Sequence, residues 1–141
     1  MREPVFVDAS AWIAITNRKD RNRGEAVRIF QRLLGTPTAL VTTNWTAYEA
    51  LTIVKSRLGF SQAERLWQRI TSRTVVELVE VDQEIESDAL QLFWRYQDKK
   101  WGVVDCSSLV VMNAVGCRHV FAYDTHFIEA SRQFGFTVIE E

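Results

Sequence analysis

Short apolar runs alternate with amphipathic segments along the whole chain. The runs predict buried strands over residues 4–7, 39–43, 75–81, 119–123 and 136–139. Apolar residues at helical spacing predict helices over residues 9–16, 26–34, 46–58, 61–70, 85–96, 105–115 and 127–134. Strands that alternate with helices are typical of the α/β class, so we expect a mainly parallel central sheet of about five strands flanked by helices.

Local signals refine the helix ends. Gly35 and Gly59 each follow an amphipathic segment and predict its end, while Asp82 predicts the start of the next helix. Ser61 and Glu64 form a capping-box pattern, which predicts that a helix begins at Ser61. We find no internal repeat or low-complexity segment in the 141 residues, so we expect a single domain over residues 1–141.

The overall composition narrows the class of protein. Hydrophobic residues make up 47% of the chain and the net charge is only −1, which excludes a strongly basic nucleic-acid-coating domain and a disordered acidic chain. The two cysteines cannot form a disulfide framework. No apolar run approaches the ~20 residues that cross a bilayer, and the first residues do not resemble a signal peptide. We therefore expect a cytoplasmic protein without a membrane partner.

The small net charge hides an uneven distribution. Between Asn17 and Gly35 the sequence has six basic and two acidic residues, and between Ile53 and Arg73 it has five basic residues and one acidic residue. Between Thr74 and Asp98 the sequence has seven acidic residues and one arginine. Such charges can simply solvate the outer faces of helices, but arginine also pairs with phosphate through two parallel hydrogen bonds.

Four carboxylates fall where the predicted strands end or the following helices begin. They are Asp8, Glu49, Asp105 and Asp124. Each has a structural explanation, since aspartate is a preferred helix N-cap and Thr46 with Glu49 fits a capping box. Capping, however, does not require four acids to share one edge of a sheet. Carboxylates held close together repel unless a cation neutralises them, and Mg²⁺ or Mn²⁺ suits such a cluster of oxygen ligands.

Four ordered motifs and a closing segment resemble those of the PIN-domain ribonucleases, and in particular the VapC-type toxins of toxin–antitoxin pairs. The similarity runs in order from about residue 5 to residue 139. The matching segments are Val5–Trp12, Thr42–Asn44 with Glu49, Trp101–Ser108, Phe121–Phe127 and Phe134–Phe136.

The resemblance implies a Mg²⁺-dependent endoribonuclease, with Mn²⁺ as a possible substitute, in which metal activates water for attack on an RNA phosphodiester. It implies that all four acids are catalytic and metal-binding, with Asp8 and Asp105 as direct ligands. Ser10, Asn44 and Ser108 would orient carboxylates or waters. It also implies a cognate antitoxin protein and a homodimer. Thr125 departs from the family pattern, because many relatives carry arginine there, which leaves one fewer cation near the substrate phosphate.

Two other classes of function stay open at the level of sequence. A phosphatase or phosphotransfer domain also places an aspartate after its first strand, but Asp8-Ala9-Ser10 lacks the second acid that a haloacid-dehalogenase-like enzyme needs. A catalytically weak module that binds metal and RNA or a partner protein would keep the same residues without useful turnover.

The chain has five tryptophans, and two of them, Trp12 and Trp45, lie at the ends of the first two motif segments. Trp12 and Trp45 either pack in the core or stack on an RNA base. Trp67 lies on the apolar side of its helix and is predicted to be core.

Overall fold

A computed structural model of the chain describes residues 3–141. Its strands are β1 (Glu3–Val7), β2 (Thr38–Thr43), β3 (Val76–Val79), β4 (His119–Phe121) and β5 (Thr137–Val138). Its helices are α1 (Ala9–Thr16), α2 (Arg23–Leu34), α3 (Asn44–Leu58), α4 (Phe60–Ile70), α5 (Gln83–Arg95), α6 (Val103–Val115) and α7 (Thr125–Phe134). None of the helices in these residues is long and apolar enough to cross a bilayer.

The five strands form one sheet in the order β3-β2-β1-β4-β5, and every neighbouring pair is parallel. The predicted α/β class and mainly parallel sheet are therefore confirmed. β3, β4 and β5 are each shorter than predicted, because the apolar runs continue into the connections that leave the sheet. Strand order reverses where β1 meets β4, and in open α/β sheets ligands bind beyond the carboxyl ends of the strands at such a point.

Both faces of the sheet are buried. Val5 and Val7 pack with α1 to α4 in one hydrophobic cluster, whereas Phe6, between them, packs with α5, α6 and α7 in the other. Alternation of side chains along a strand explains this division. Because helices cover both faces of this parallel sheet, neither face is polar, and the strands are continuous apolar runs in the sequence.

The predicted capping box at Ser61 is wrong. α4 begins at Phe60, one residue earlier, and Gly59 lies at its N-cap position with no side-chain hydrogen bond there. Gly59 has φ +95°, a backbone conformation that favours glycine, so it ends α3 and starts α4 in one residue. The helical hairpin therefore turns too tightly to leave a separate capping residue at Ser61.

All the other helices except α1 also begin two or three residues before their first predicted residue, among them α3 and α6. α3 starts at Asn44, where the Thr43 side chain caps it by accepting a hydrogen bond from the Thr46 backbone N–H. Thr46 is therefore inside the helix, and the capping-box explanation for Glu49 does not apply. α6 begins at Val103 instead of Asp105. Gly102 is its N-cap, and Asp105 lies in the first turn, where its carboxylate accepts a hydrogen bond from the Gly102 backbone N–H.

Trp12 is a core residue, which decides between the two alternatives that the sequence left open. Its side chain is fully buried, and its ring meets the edge of Phe30 at a centroid distance of 6.0 Å. Its indole N–H donates to Thr42 Oγ1 (3.4 Å), whose hydroxyl in turn donates to the Val7 carbonyl (2.9 Å). Trp12 thus fastens α1 to two strands. Trp67 is only half-buried, at the rim of the same cluster.

Substituting Trp12→Ala is expected to lower the free energy of unfolding by about 3–5 kcal/mol, because it removes a large buried ring and leaves a cavity. Trp94→Ala is the matched control, since Trp94 is 67% exposed and Trp12 is 0% exposed. Urea denaturation followed by circular dichroism measures both variants. Equal losses of stability would contradict this assignment of Trp12 to the core.

Candidate metal site at the carboxyl edge of the sheet

Asp8 is the buried centre of the site. It follows β1 directly and is the N-cap of α1, where Oδ2 accepts hydrogen bonds from the Ser10 backbone N–H (3.1 Å) and hydroxyl (2.6 Å). Only 3% of the residue is exposed. Burial, helped by the nearby Asp105 charge, outweighs these hydrogen bonds and raises the pKa of Asp8 to about 6.

Ser10 joins the ends of two neighbouring strands at this point. While its hydroxyl donates to Asp8, its oxygen accepts a hydrogen bond from the Tyr123 backbone N–H at 2.9 Å. The Asp8 backbone N–H donates to the Phe121 carbonyl at 3.0 Å. The Asp8 carboxylate is therefore fixed relative to the chain that leads to Asp124, and the predicted contact between Ser10 and a carboxylate is present.

Asp124 and Asp105 each hold the start of another helix. Asp124 is the N-cap of α7 and accepts from the His126 backbone N–H through Oδ1 at 2.9 Å. Asp105 lies in the first turn of α6 and accepts from the Gly102 backbone N–H through Oδ2 at 3.0 Å. In residues 3–141, the second oxygen of Asp8, Asp105 and Asp124 makes no hydrogen bond of ordinary geometry. Each aspartate can therefore cap a helix and still offer an oxygen to a cation.

Glu49 approaches the three aspartates from α3. The residue is solvent-exposed, and no capping role holds it. Partial burial of the carboxyl, together with the charges of Asp8, Asp105 and Asp124, raises the pKa of Glu49 to about 7. The four predicted acids thus share one electrostatic environment at the carboxyl edge.

Ser108 and Asn44, the other two residues predicted to orient the carboxylates, make hydrogen bonds that connect helices and strands. Ser108 is fully buried, and its hydroxyl donates to the Val104 carbonyl (3.1 Å) and lies 3.3 Å from Thr46 Oγ1. This contact joins α6, which carries Asp105, to α3, which carries Glu49. Asn44 Oδ1 accepts from the Val81 backbone N–H at 2.8 Å and so secures the chain beyond β3. For both side chains, these hydrogen bonds run to the scaffold and to other residues than the four acids.

His126 is the residue of the site that sequence reasoning missed. Its Nδ1 lies 2.9 Å from Asp105 Oδ2 and 3.5 Å from Asp124 Oδ1. Burial by itself lowers the pKa of His126, but the hydrogen bond to Asp105 and the two carboxylate charges raise it overall. The sequence could have indicated His126, because it lies two residues after Asp124, in the first turn of a helix that begins at the site.

The donor set fits a divalent cation. Carboxylate oxygens are the ligands that Mg²⁺ and Mn²⁺ take, and three aspartates offer one each. Burial, and to a smaller extent the neighbouring carboxylate charges, raise the pKa values of Asp8 and Glu49, so the ionised forms are unfavourable there without a positive charge. A cation among them would favour the ionised forms.

The metal-free protein should become less stable as the pH rises from about 4 to about 7. Asp8 and Glu49 have folded-state pKa values of about 6 and 7, above their ordinary values of 3.8 and 4.5, so the folded protein binds more protons than the unfolded chain in this window. Asp8→Asn keeps a good N-cap and removes one charge. We expect it to stabilise the protein by about 1–3 kcal/mol at pH 8 and much less at pH 4.

Urea denaturation in EDTA at the two pH values measures this difference. Asp88→Asn, at an exposed position of α5, is the control and should leave the pH dependence unchanged. A gain for Asp8→Asn that is the same at pH 4 and pH 8 would show that the carboxylate charge is not its cause.

Comparison with known proteins identifies the family of the chain. Residues 5–133 match the PIN domain family. The 23S rRNA-specific endonuclease VapC20 of Mycobacterium tuberculosis, from strains H37Rv and CDC 1551, is 29% identical over 126 residues, which cover 89% of this chain and 93% of the relative. The crystal structure of M. tuberculosis VapC20, described as a Sarcin-Ricin loop cleaving toxin, has a TM-score of 0.87 and 28% identity over 97% of this chain and 99% of that one. The resemblance read from the motifs is confirmed, and the chain belongs to the PIN domain family.

Proposed function

We propose that the acidic carboxyl edge hydrolyses RNA phosphodiester bonds with the help of a divalent cation, Mg²⁺ or Mn²⁺. The chain is an endoribonuclease of the VapC toxin type, in keeping with its family and with its similarity to VapC20 over nearly the whole length of both proteins. The observation that carries the proposed chemistry is the convergence of Asp8, Glu49, Asp105 and Asp124 where strand order reverses.

In this proposal, Asp8 and Asp105 hold the ion through the oxygens that their helices leave free, with Glu49 and Asp124 beside them. A bound divalent ion supplies positive charge against the charge that develops on the phosphodiester, and it acidifies water. Ser10 holds the Asp8 carboxylate through its backbone and its hydroxyl, so the ligand oxygen needs little reordering when an ion binds. Ser108 joins α6, which carries Asp105, to α3, which carries Glu49, and Asn44 attaches the start of α3 to the chain beyond β3.

We further propose that a basic segment before α2 contacts the RNA. The Tyr123 hydroxyl donates to Glu25 Oε1 at 3.1 Å, which places the start of α2 beside the residue that precedes Asp124. Arg18 and Arg21 are exposed in the connection just before that helix. Exposed arginines next to a metal site suit the phosphates of a chain whose scissile bond lies among the acids.

The relative acts on 23S rRNA, which makes 23S rRNA the first substrate to test for this chain. We further propose a cognate antitoxin that covers the acidic edge, and a homodimer that brings two sites together, both implied by the VapC resemblance. The antitoxin would contribute a basic side chain to the carboxylates. Light scattering at tens of micromolar tests the dimer, and a result of monomers alone would count against it.

Asp8→Asn and Asp105→Asn are each expected to reduce RNA cleavage by at least ~100-fold, because even residues that only support metal ligands contribute 10–100-fold. Both substitutions remove a charge while keeping the shape of the side chain. Purified protein, 23S rRNA and Mg²⁺ are incubated, and the new RNA ends are sequenced. EDTA should abolish cleavage, and excess Mg²⁺ should restore it.

Asp88→Asn serves as the matched control and should cleave at the rate of the unmodified protein. Wild-type rates for both site variants would contradict the metal mechanism. Metal binding without cleavage by the unmodified protein would instead favour the catalytically weak module.

Replacing Arg18 and Arg21 together by alanine is expected to weaken RNA binding and to reduce the slope of log affinity against log salt by roughly 1–2, the size expected for two lost phosphate contacts. Binding is measured by fluorescence anisotropy with the Asp8→Asn protein, so that the RNA stays intact. Arg118→Ala is the control, because Arg118 is exposed beside the first residue of β4, at the opposite edge of the sheet. An unchanged slope for the double variant would remove these arginines from the RNA interface.

A further inference from the structure

His126 brings a nitrogen atom into a site otherwise built from oxygen. One ligand atom each from Asp105, Asp124 and His126 forms a group whose members all lie within 4.8 Å of one another. Asp8 and Glu49 do not belong to this tighter group, although their pKa values respond to the charge of Asp105. The carboxyl edge therefore has a buried oxygen side at Asp8 and a mixed oxygen–nitrogen side at His126.

The distances suit coordination of one ion. Two ligands at right angles about an ion that is 2.0–2.1 Å from each stand roughly 3 Å apart. His126 Nδ1 lies 2.9 Å from Asp105 Oδ2 and 3.5 Å from Asp124 Oδ1. Each of these oxygens also accepts one backbone N–H, so a cation between them and Nδ1 would use the second lone pair of each oxygen and replace the hydrogen between Nδ1 and Asp105. A neutral imidazole with its hydrogen on Nε2 has the Nδ1 lone pair that this requires.

The surroundings hold the imidazole in place. His126 and Asp105 line a small cavity whose other walls are Trp101, Leu109, Phe127 and Ala130, with no room for a water molecule. The His126 backbone N–H is fixed by Asp124, and Asp105 is fixed by the Gly102 backbone. Backbone hydrogen bonds at the starts of α6 and α7 thus help to position all three residues, in addition to the contacts that they make with one another.

The type of ligand decides which ion such a group prefers. Mg²⁺ takes oxygen ligands and keeps much of its water, whereas first-row transition ions also accept imidazole nitrogen. We propose that Asp105, Asp124 and His126 form a cation subsite in which His126 Nδ1 is a direct ligand, so that Mn²⁺ binds there in preference to Mg²⁺. This inference deepens the proposed function, because the subsite shares two aspartates with it.

Pulsed electron paramagnetic resonance of the Mn²⁺-loaded protein tests the ligand directly. A coordinated imidazole gives a ¹⁴N modulation, which we expect in the unmodified protein and in His119→Asn, and not in His126→Asn. His119 is the matched control: it is the one other histidine of the chain, and it begins β4 at the opposite edge of the sheet. If His126→Asn does not fold, the modulation in the unmodified protein and in His119→Asn still identifies the ligand.

Calorimetric titration adds the selectivity. His126→Asn should raise the dissociation constant of Mn²⁺ by about 10-fold or more and that of Mg²⁺ by much less. Absence of ¹⁴N modulation in the unmodified protein, or an equal loss of affinity for both ions, would overturn the proposal and reduce His126 to a positioning residue for Asp105. RNA cleavage in Mg²⁺ is assayed separately, so cleavage without nitrogen ligation refutes only the subsite, and nitrogen ligation without cleavage refutes only the nuclease.

Discussion

The double use of aspartate oxygens is the constraint on which the rest of the site depends. Asp8, Asp105 and Asp124 each accept a backbone N–H at the start of a helix with one oxygen and leave the other without such a bond. Backbone geometry therefore positions the proposed ligands, and a cation that bound them would need to order few side-chain rotamers. Helix capping and metal binding, which looked like competing explanations of the same residues, are compatible because a carboxylate has two oxygens.

This arrangement has a cost in stability that the remaining fold must offset. Asp8 is buried near another carboxylate, and its pKa of about 6 shows that ionising it is unfavourable in the folded chain. Close packing of α1, held by Trp12 against Phe30 and Thr42, keeps the aspartate in place despite that cost. Proteins that hold unfavourable charges at a functional site commonly have a lower free energy of unfolding than the same fold could reach. A cation that binds only the folded state would raise that free energy again.

The sequence was sufficient for those features that depend on local pattern. Buried parallel strands are continuous apolar runs, so the sheet and the acids at its carboxyl edge could be predicted. The contacts of His126 could not, because its partner Asp105 is 21 residues earlier in the chain and meets it only after α6 and α7 pack. The same holds for Ser108 and Thr46, whose hydroxyl contact spans 62 residues. The error at Ser61 had another origin, since a glycine with positive φ replaced the expected cap.

The small net charge of the chain conceals a separation of charge between the two faces of the sheet. The arginine-rich helices α2 and α4 pack on one face, and the acidic helix α5 packs on the other. The hydrogen bond from Tyr123 to Glu25 fixes the start of α2 next to the residue that precedes Asp124, so the connection that carries the exposed Arg18 and Arg21 leads towards the carboxyl edge. Charge distribution, and not the total of −1, therefore decides whether this protein can bind a polyanion.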